Sequence, residues 1–481
     1  MVFSSVHFLF LFLPGFLGLY YATPPRFRNL SALAASLLFC AWGAPQLVFY
    51  LAASCAVDYG ASRLLVRFGD RPGWPKRIAG AAIALNLGLL VYFKYANFLV
   101  REVNGFLSHF AISPVAWSDV ALPIGISFFT FHRVSYLVDV YRKVTPPARS
   151  FADYLLYILL FPQLIAGPIV RYHEVAGEIA HREHRLELFF EGVTRFVLGL
   201  GKKVLLANVL GEVADRVFAI APGSVPTSYA WLGIFCYTFQ IYFDFAGYSD
   251  MAVGMARMMG IHFPENFNHP YISRSLTEFW RRWHISLSSF MREYLYIPLG
   301  GSRAGPVRTY VNLWVVFLVS GFWHGASWNF IVWGAFHGFF LVLDKLYWLK
   351  KVERLPRAVG MALTFGTVLV GWVLFRSADL PGAVRFLSSM LGWSSAAAGD
   401  PSVPPWPRVV GGRALLTLGV AVILSFLPAW EGLGRGWKRR EEPSAAVPGS
   451  ALRFAGLMLV LVLSLSYLSS SLFNPFLYFR F

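Results

Sequence analysis

The sequence predicts an all-α polytopic membrane protein, and three observations predict it. Of its 481 residues, 57% are hydrophobic and only 14% charged, where an ordinary soluble domain carries about a quarter charged residues. The apolar residues fall into many separated blocks of about 15 to 25, the length of membrane helices; barrel strands would alternate over about ten. Lys and Arg, which bring the formal net charge to +17, come in short clusters between the blocks, as cytoplasmic loops require. A folded nucleic-acid-binding surface would gather them on one face, so nucleic acid is not an expected partner. No long polar block could hold a soluble domain, and the chain reads as one membrane-embedded domain, 1–481. Cys40, Cys55 and Cys236 lie in apolar helix patterns without motif spacing and indicate neither a disulfide framework nor a metal site.

The first block, Ser5 to Tyr21, lacks a positive leading region and reads as a membrane helix rather than a cleaved signal. Arg26 and Arg28 follow it, which places the N-terminus outside. Leu30 to Gly43 and Gln46 to Tyr59 form a hairpin closed by Ala44-Pro45. Ile78 to Val100 crosses outward and Leu122 to Tyr141 returns to a basic loop. Tyr154 to Val170 has basic flanks on both sides and contains Pro162, Gln163, Gly167 and Pro168. It reads as a re-entrant or broken helix, tolerated where protein or water satisfies the backbone. Phe189 to Leu210 and Trp231 to Met255 are further spans. Ser275 to Ile297 opens with Ser275-Leu276-Thr277-Glu278, which fits a capping box, and sets aromatic and aliphatic residues opposite Arg281, Arg282, His284, Ser288 and Arg292. That pattern predicts one amphipathic helix in the interface plane.

Basic residues flank the pair of blocks Tyr310 to Trp323 and Phe330 to Leu343 on both outer sides, so the pair must be a hairpin. Fourteen residues span only about 20 Å of a ~30 Å core, which sets the tip His324-Gly325-Ala326-Ser327 within the membrane. Val359 to Phe375, Ala414 to Leu427 and Leu452 to Leu468 complete about ten full spans and put the C-terminus outside as well.

Ionisable groups are costly in hydrocarbon and are functional candidates there. His324, in SGFWHGASWNF, could accept a proton or attack a thioester. Trp323, Trp328 and Asn329 flank it and could donate N–H groups to a developing oxyanion. The competing reading is a histidine that packs two helices. His284, in EFWRRWHISLS, reads from its pattern as a headgroup-facing residue beside arginines, and His337 reads as packing alone. Gln240, Asp244 and Tyr248 form a polar stripe at i, i+4 and i+8 that must face the bundle interior, where Asp244 braces as readily as it catalyses.

Several long stretches resemble the membrane-bound O-acyltransferases, and within them the alginate O-acetyltransferase-like bacterial branch. They are LPIGISFFTFHRVSYLVDVYR, FPQLIAGPIVRY, QIYFDFAGYSDMAVGMARMMG, FPENFNHPYISRSLTEFWRRWHISLSSFMREYLYIPLGGSR, SGFWHGASWNFIVWGAFHG and the terminal NPFLYFRF. The resemblance implies that family's fold, with its catalytic core at about 120–347 in this chain. It implies that His324 stands at the catalytic histidine position and His284 at the second histidine position. His132 departs from the pattern, which has a glutamine there, so a polar contact should differ. The intact Ile297-Pro298-Leu299-Gly300-Gly301 favours polysaccharide acetylation over teichoic-acid D-alanylation.

The resemblance further implies an acetyl group taken from cytoplasmic acetyl-CoA and passed across a bacterial inner membrane. An exported polysaccharide such as alginate receives it, finished by a periplasmic serine-esterase-like partner. Whether His324 acts as general base or as a transient acyl carrier is open at this point. Arg281 and Arg282 are candidates for holding a phosphate-bearing donor, although such arginines commonly anchor a helix at the membrane. Teichoic acid, peptidoglycan or cellulose are alternative acceptors. A proton-coupled transporter is the alternative of a different class, but the paired inverted repeats common in such proteins are not apparent.

Overall fold

In the computed structural model the described residues are 2–43, 45–123, 125–221, 223–393, 403–429, 450–470, 473–475 and 477. Among them there is no strand, only an isolated antiparallel bridge between Phe267 and Trp283. The first five apolar blocks become α1 (Phe8–Ala22), α2 (Arg28–Gly43), α3 (Pro45–Arg67), α4 (Trp74–Ser108) and α5 (Ile126–Tyr141). Ala44, in the expected hairpin turn, lies outside the described residues. The following segment is broken as expected, into α6 (Phe151–Leu159) and α7 (Phe161–Leu164), with Leu160 in a non-helical conformation between them. Helix α8 (Tyr172–Ala180), unanticipated in the sequence, starts where the Glu174 carboxylate accepts the Arg171 N–H at 2.8 Å.

Next come α9 (Leu186–Gly201), a π-helical stretch (Lys202–Ala207), α10 (Asn208–Phe218) and α11 (Thr227–Met258). The expected single amphipathic helix is two, α12 (Leu276–Arg282) and α13 (Ile285–Met291), separated by Trp283 and His284. The hairpin is α14 (Pro306–His324) and α15 (Trp328–Leu343), the latter prolonged through a π turn and α16 (Leu349–Val352). These arms are longer than the apolar blocks that mark them. The 19 residues of α14 rise about 28 Å, so arm length does not stop the tip halfway into a bilayer. Beyond lie α17 (Arg357–Arg376), α18 (Leu380–Met390), α19 (Trp406–Val409), α20 (Gly412–Phe426) and α21 (Ser450–Ser470). Helix α18 is not among the expected spans. Asp379 caps it, its Oδ1 accepting the Gly382 N–H at 2.6 Å.

Five described helices are long and apolar enough to cross a bilayer by themselves: Trp74–Ser108, Trp328–Val352, Arg357–Arg376, Gly412–Ala429 and Ala451–Ser470, with Phe8–Ala22 a shorter apolar helix. The remaining expected spans fall on helices that carry polar residues, as α11 does with Gln240, Asp244 and Asp250. Residues 430–449, between α20 and α21, lie outside the described residues.

The chain divides into two compact units, Met1–Phe196 with Met251–Pro264, and Val197–Asp250 with Glu265–Phe481; the boundaries fall within α9, within α11 and in the segment after α11. In the first unit a buried charge on one helix is met by donors from two others. Asp58 of α3 accepts from Arg133 Nε of α5 at 2.5 Å and from Asn86 Nδ2 of α4 at 2.8 Å. Removing the cation leaves a buried carboxylate unpaired, so Arg133→Met should cost about 3–5 kcal/mol, read as a lowered melting midpoint in detergent. The broken segment is held by polar contacts to its freed backbone: Tyr157 donates to the Val170 carbonyl at 2.9 Å, and Val170 N–H donates to His132 Nε2 at 3.2 Å. That last bond accounts for the unusual residue 132, since a glutamine carbonyl could accept the same N–H.

Candidate active site

The second unit holds both histidines that the sequence singles out. His324 is the last residue of α14, followed by an extended Gly325. The hairpin arms close up on glycines: a Cβ on Gly321 would stand 3.0 Å from Gly334 Cα, and one on Gly334 would stand 3.2 Å from Gly321 Cα. This approach sets the imidazole of His324 among aromatic rings, with centroids 4.8 Å from Trp323, 5.1 Å from Trp333 and 5.2 Å from Phe375. It is 9% exposed.

His284 reaches the same place by a different device. Ser275 caps α12 by accepting the Glu278 N–H at 3.1 Å. The reciprocal half of the expected box is shifted one residue, because the Glu278 carboxylate accepts from Arg274 N–H at 2.9 Å. Helix α12 then stops, and His284 adopts a left-handed conformation (φ 46°, ψ 55°). Residues 266–268 clamp this bend: Asn268 N–H donates to Arg282 O and Ile285 N–H to Asn266 O, both at 2.9 Å. The kink turns His284 from the expected headgroup-facing position to the interior, where it is 1% exposed with its ring edge-on to Phe245 at 4.7 Å. Its Nδ1 lies 3.0 Å from Asn266 Oδ1. Burial pushes its imidazole down to about 3, so the ring is neutral.

Both histidines line one cavity of about 30 Å³, walled also by Ile241, Phe245, Trp283, Trp333, Trp372, Phe375 and Leu477 and by Asp244. That volume holds about two waters.

Asp244 is braced. Its Oδ1 is 2.6 Å from Lys203 Nζ and its Oδ2 accepts the Leu477 N–H at 2.9 Å. The Lys203 ammonium also donates to Asn208 Oδ1 at 2.8 Å and to the Pro475 carbonyl. Asn208 Nδ2 donates to Asn474 Oδ1 at 3.1 Å. The C-terminal segment is thus tied to a buried ion pair, and its Leu477 forms part of the cavity wall. Lys202 makes a second pair, 2.5 Å from Asp250.

The other candidates lie apart from the cavity. Gln240 and Tyr248 are buried but do not line it, and Gln240 packs against Gly211, where a Cβ would meet its Nε2 at 2.5 Å. Trp323 touches His324 without lining the cavity. Trp328 is 52% exposed, and Asn329 Nδ2 donates to the Ser377 carbonyl at 2.7 Å. Arg281 is exposed and Arg282 is paired with Glu278 at 2.9 Å; neither lines the cavity. Sequence reasoning missed Asn266, Lys203, Asn208 and the aromatic wall. Two lysines and two aspartates in otherwise apolar stretches were the available signal for the ion pairs, since intramembrane charges pair with one another.

Residues 112–354 match the membrane-bound O-acyltransferase family, and the chain is a member of it. It is a multi-pass membrane O-acyltransferase of the alginate O-acetyltransferase-like branch. It is similar to the probable alginate O-acetylase of Azotobacter vinelandii, 40% identical over the whole of both chains. The probable alginate O-acetylase of Pseudomonas aeruginosa is 44% identical over 82% of this chain and 76% of its own. The peptidoglycan O-acetyltransferase of Helicobacter pylori is 36% identical over 82% of this chain and 80% of its own.

Proposed function

We propose that this chain takes an acetyl group from acetyl-CoA on the cytoplasmic side of a bacterial inner membrane and passes it outward for O-acetylation of an exported polysaccharide such as alginate. The observation that carries this reading is the shared cavity: His324 and His284, 40 residues apart in number, line one buried space. The names of the relatives that match along the full chain support alginate as the acceptor over peptidoglycan or teichoic acid.

The reacting group is the imidazole of His324. As general base it takes the proton of an acceptor hydroxyl while that oxygen adds to the thioester carbonyl; the C–S bond then breaks and the thiolate leaves with the proton. As acyl carrier, the bare ring nitrogen adds to the same carbonyl, the C–S bond breaks and the thiolate leaves with the proton of the other ring nitrogen; the acceptor oxygen then adds to the acyl group, the C–N bond breaks, and the leaving imidazole takes up the acceptor's proton. Both routes gain from the apolar wall, which excludes water from an activated acyl group. A periplasmic serine-esterase-like partner receives the group and completes the transfer to the sugar, and both termini of this chain face the periplasm.

The test is reconstitution of the purified chain in vesicles with acetyl-CoA labelled in its acetyl group inside and polymer and partner outside. Label should appear on the polymer or partner only when the chain is present. Label confined to the interior, with free passage of a solute that needs no acetyl-CoA, would point to a transporter instead.

A further inference from the structure

Asn266 offers an oxygen that three groups approach. Ser286 N–H donates to its Oδ1 at 3.3 Å, Ser286 Oγ–H donates at 3.0 Å, and His284 Nδ1 lies at 3.0 Å. A backbone N–H can only donate, so the Ser286 amide settles which end of the Asn266 side chain faces this cluster: the oxygen. An oxygen with no proton must be met by a donor, so His284 Nδ1 carries a hydrogen. The ring is neutral because burial among Phe245, Trp283 and Ile241 disfavours a charge. A neutral imidazole with hydrogen on Nδ1 has a bare lone pair on Nε2. His284 Nε2 has no hydrogen-bond partner among the described residues, and the residue lines the cavity.

We infer that Asn266 is a positioning residue that holds His284 in the Nδ1–H tautomer, so that Nε2 stands as a proton acceptor toward the cavity it shares with His324. The inference rests on the reading that acyl transfer takes place in this cavity. Free imidazole side chains in water prefer hydrogen on Nε2, so the lock reverses an intrinsic preference. An amide suits the task better than a carboxylate. Asn266 accepts the Nδ1 hydrogen without adding a negative charge that would stabilise the imidazolium and spoil Nε2 as an acceptor at neutral pH. The Asn266 Nδ2 group, which finds no hydrogen-bond partner among the described residues, marks a residue held for its oxygen. When an acceptor hydroxyl meets the acyl group carried on His324, its oxygen adds to the acyl carbonyl and its proton passes to His284 Nε2, the imidazolium keeping its Nδ1–H on Asn266; the C–N bond then breaks and the proton passes on to the leaving His324 ring nitrogen.

The direct test needs no turnover. Nitrogen NMR of histidine-labelled protein in lipid, with a His284→Gln variant to identify the signal by difference, reports which ring nitrogen is protonated. The expected signal is Nδ1–H with bare Nε2 in the wild type, a shift toward both nitrogens protonated in Asn266→Asp at neutral pH, and loss of the Nδ1–H form in Asn266→Leu. A wild-type signal with hydrogen on Nε2 overturns the inference, as does an Asn266→Leu variant with the tautomer unchanged. In transfer assays Asn266→Leu should lower the turnover rate about 10-fold or more with the KM for acetyl-CoA unchanged, while Asn266→Asp should lose turnover at neutral pH and regain it as the pH rises, moving the acid limb of the pH profile upward. Wild-type turnover and pH profile in both variants would also overturn it. Failure of the acyl-transfer reading itself would show separately, as the expected tautomer in a protein whose His324 variants acetylate normally.

Discussion

His324→Ala should stay folded and inserted yet lose about 10³-fold in acetyl transfer to polymer, within the range for removal of a positioned base or nucleophile. The stability cost is the smaller effect. The ring has edge contacts with Trp323, Trp333 and Phe375 and adjoins an existing cavity, so truncation should cost about 0.5–3 kcal/mol. His324→Gln keeps most of the volume and a hydrogen-bonding tip but cannot take a proton at neutral pH. It should melt close to wild type and be as inactive as the alanine variant. Transfer from labelled acetyl-CoA, normalised to membrane-inserted protein, separates the two effects. A glutamine variant working within tenfold of wild type would remove His324 from the chemistry and leave it as a packing residue of the hairpin.

How much of this was legible beforehand depends on the range of the interaction. The hairpin was readable because basic residues flank both outer ends of its two blocks, and the broken segment because Pro162 and Pro168 cannot sit in a helix interior. His324 stood out as an ionisable group in an apolar run. The position of His284 was not readable. Residues 275–297 keep helical periodicity straight through RRWHIS, and only pairing with residues 266–268 stops the helix and turns the imidazole inward. Asn266 lies 18 residues from His284, and Leu477 lies 233 from the Asp244 carboxylate that holds its N–H. No local pattern encodes such contacts. Trp333, Trp372 and Phe375 look in sequence like any lipid-facing aromatic, because one apolar solvent resembles another until the partner helices are placed.

Lys203 should carry a stability effect as large as that of Arg133. Lys203 is 1% and Asp244 2% exposed, and the ammonium is the only group holding Asp244 Oδ1 among the described contacts. Lys203→Met fits the same space without the charge, leaves a carboxylate buried, and frees the Asn208 and Pro475 oxygens of their donor. The expected cost is about 3–5 kcal/mol, read as a large drop in the melting midpoint in detergent. Asp244→Asn alone should cost a similar amount for the converse reason, an unmatched buried ammonium. The double variant Lys203→Met with Asp244→Asn removes both charges, and the asparagine Oδ1 can still accept the Leu477 N–H. It should therefore recover much of the loss, giving a coupling of about 2 kcal/mol or more in a double-mutant cycle. Activity should not recover with stability. Pro475 and Leu477 are held to the cavity through these same two side chains, so the double variant loses the Pro475 tether, loosens the Leu477 wall and should stay slow in acetyl transfer. Additive losses in melting would mean that the pair is not a unit. Full activity in the double variant would mean that the tethered C-terminal segment is not part of the working site.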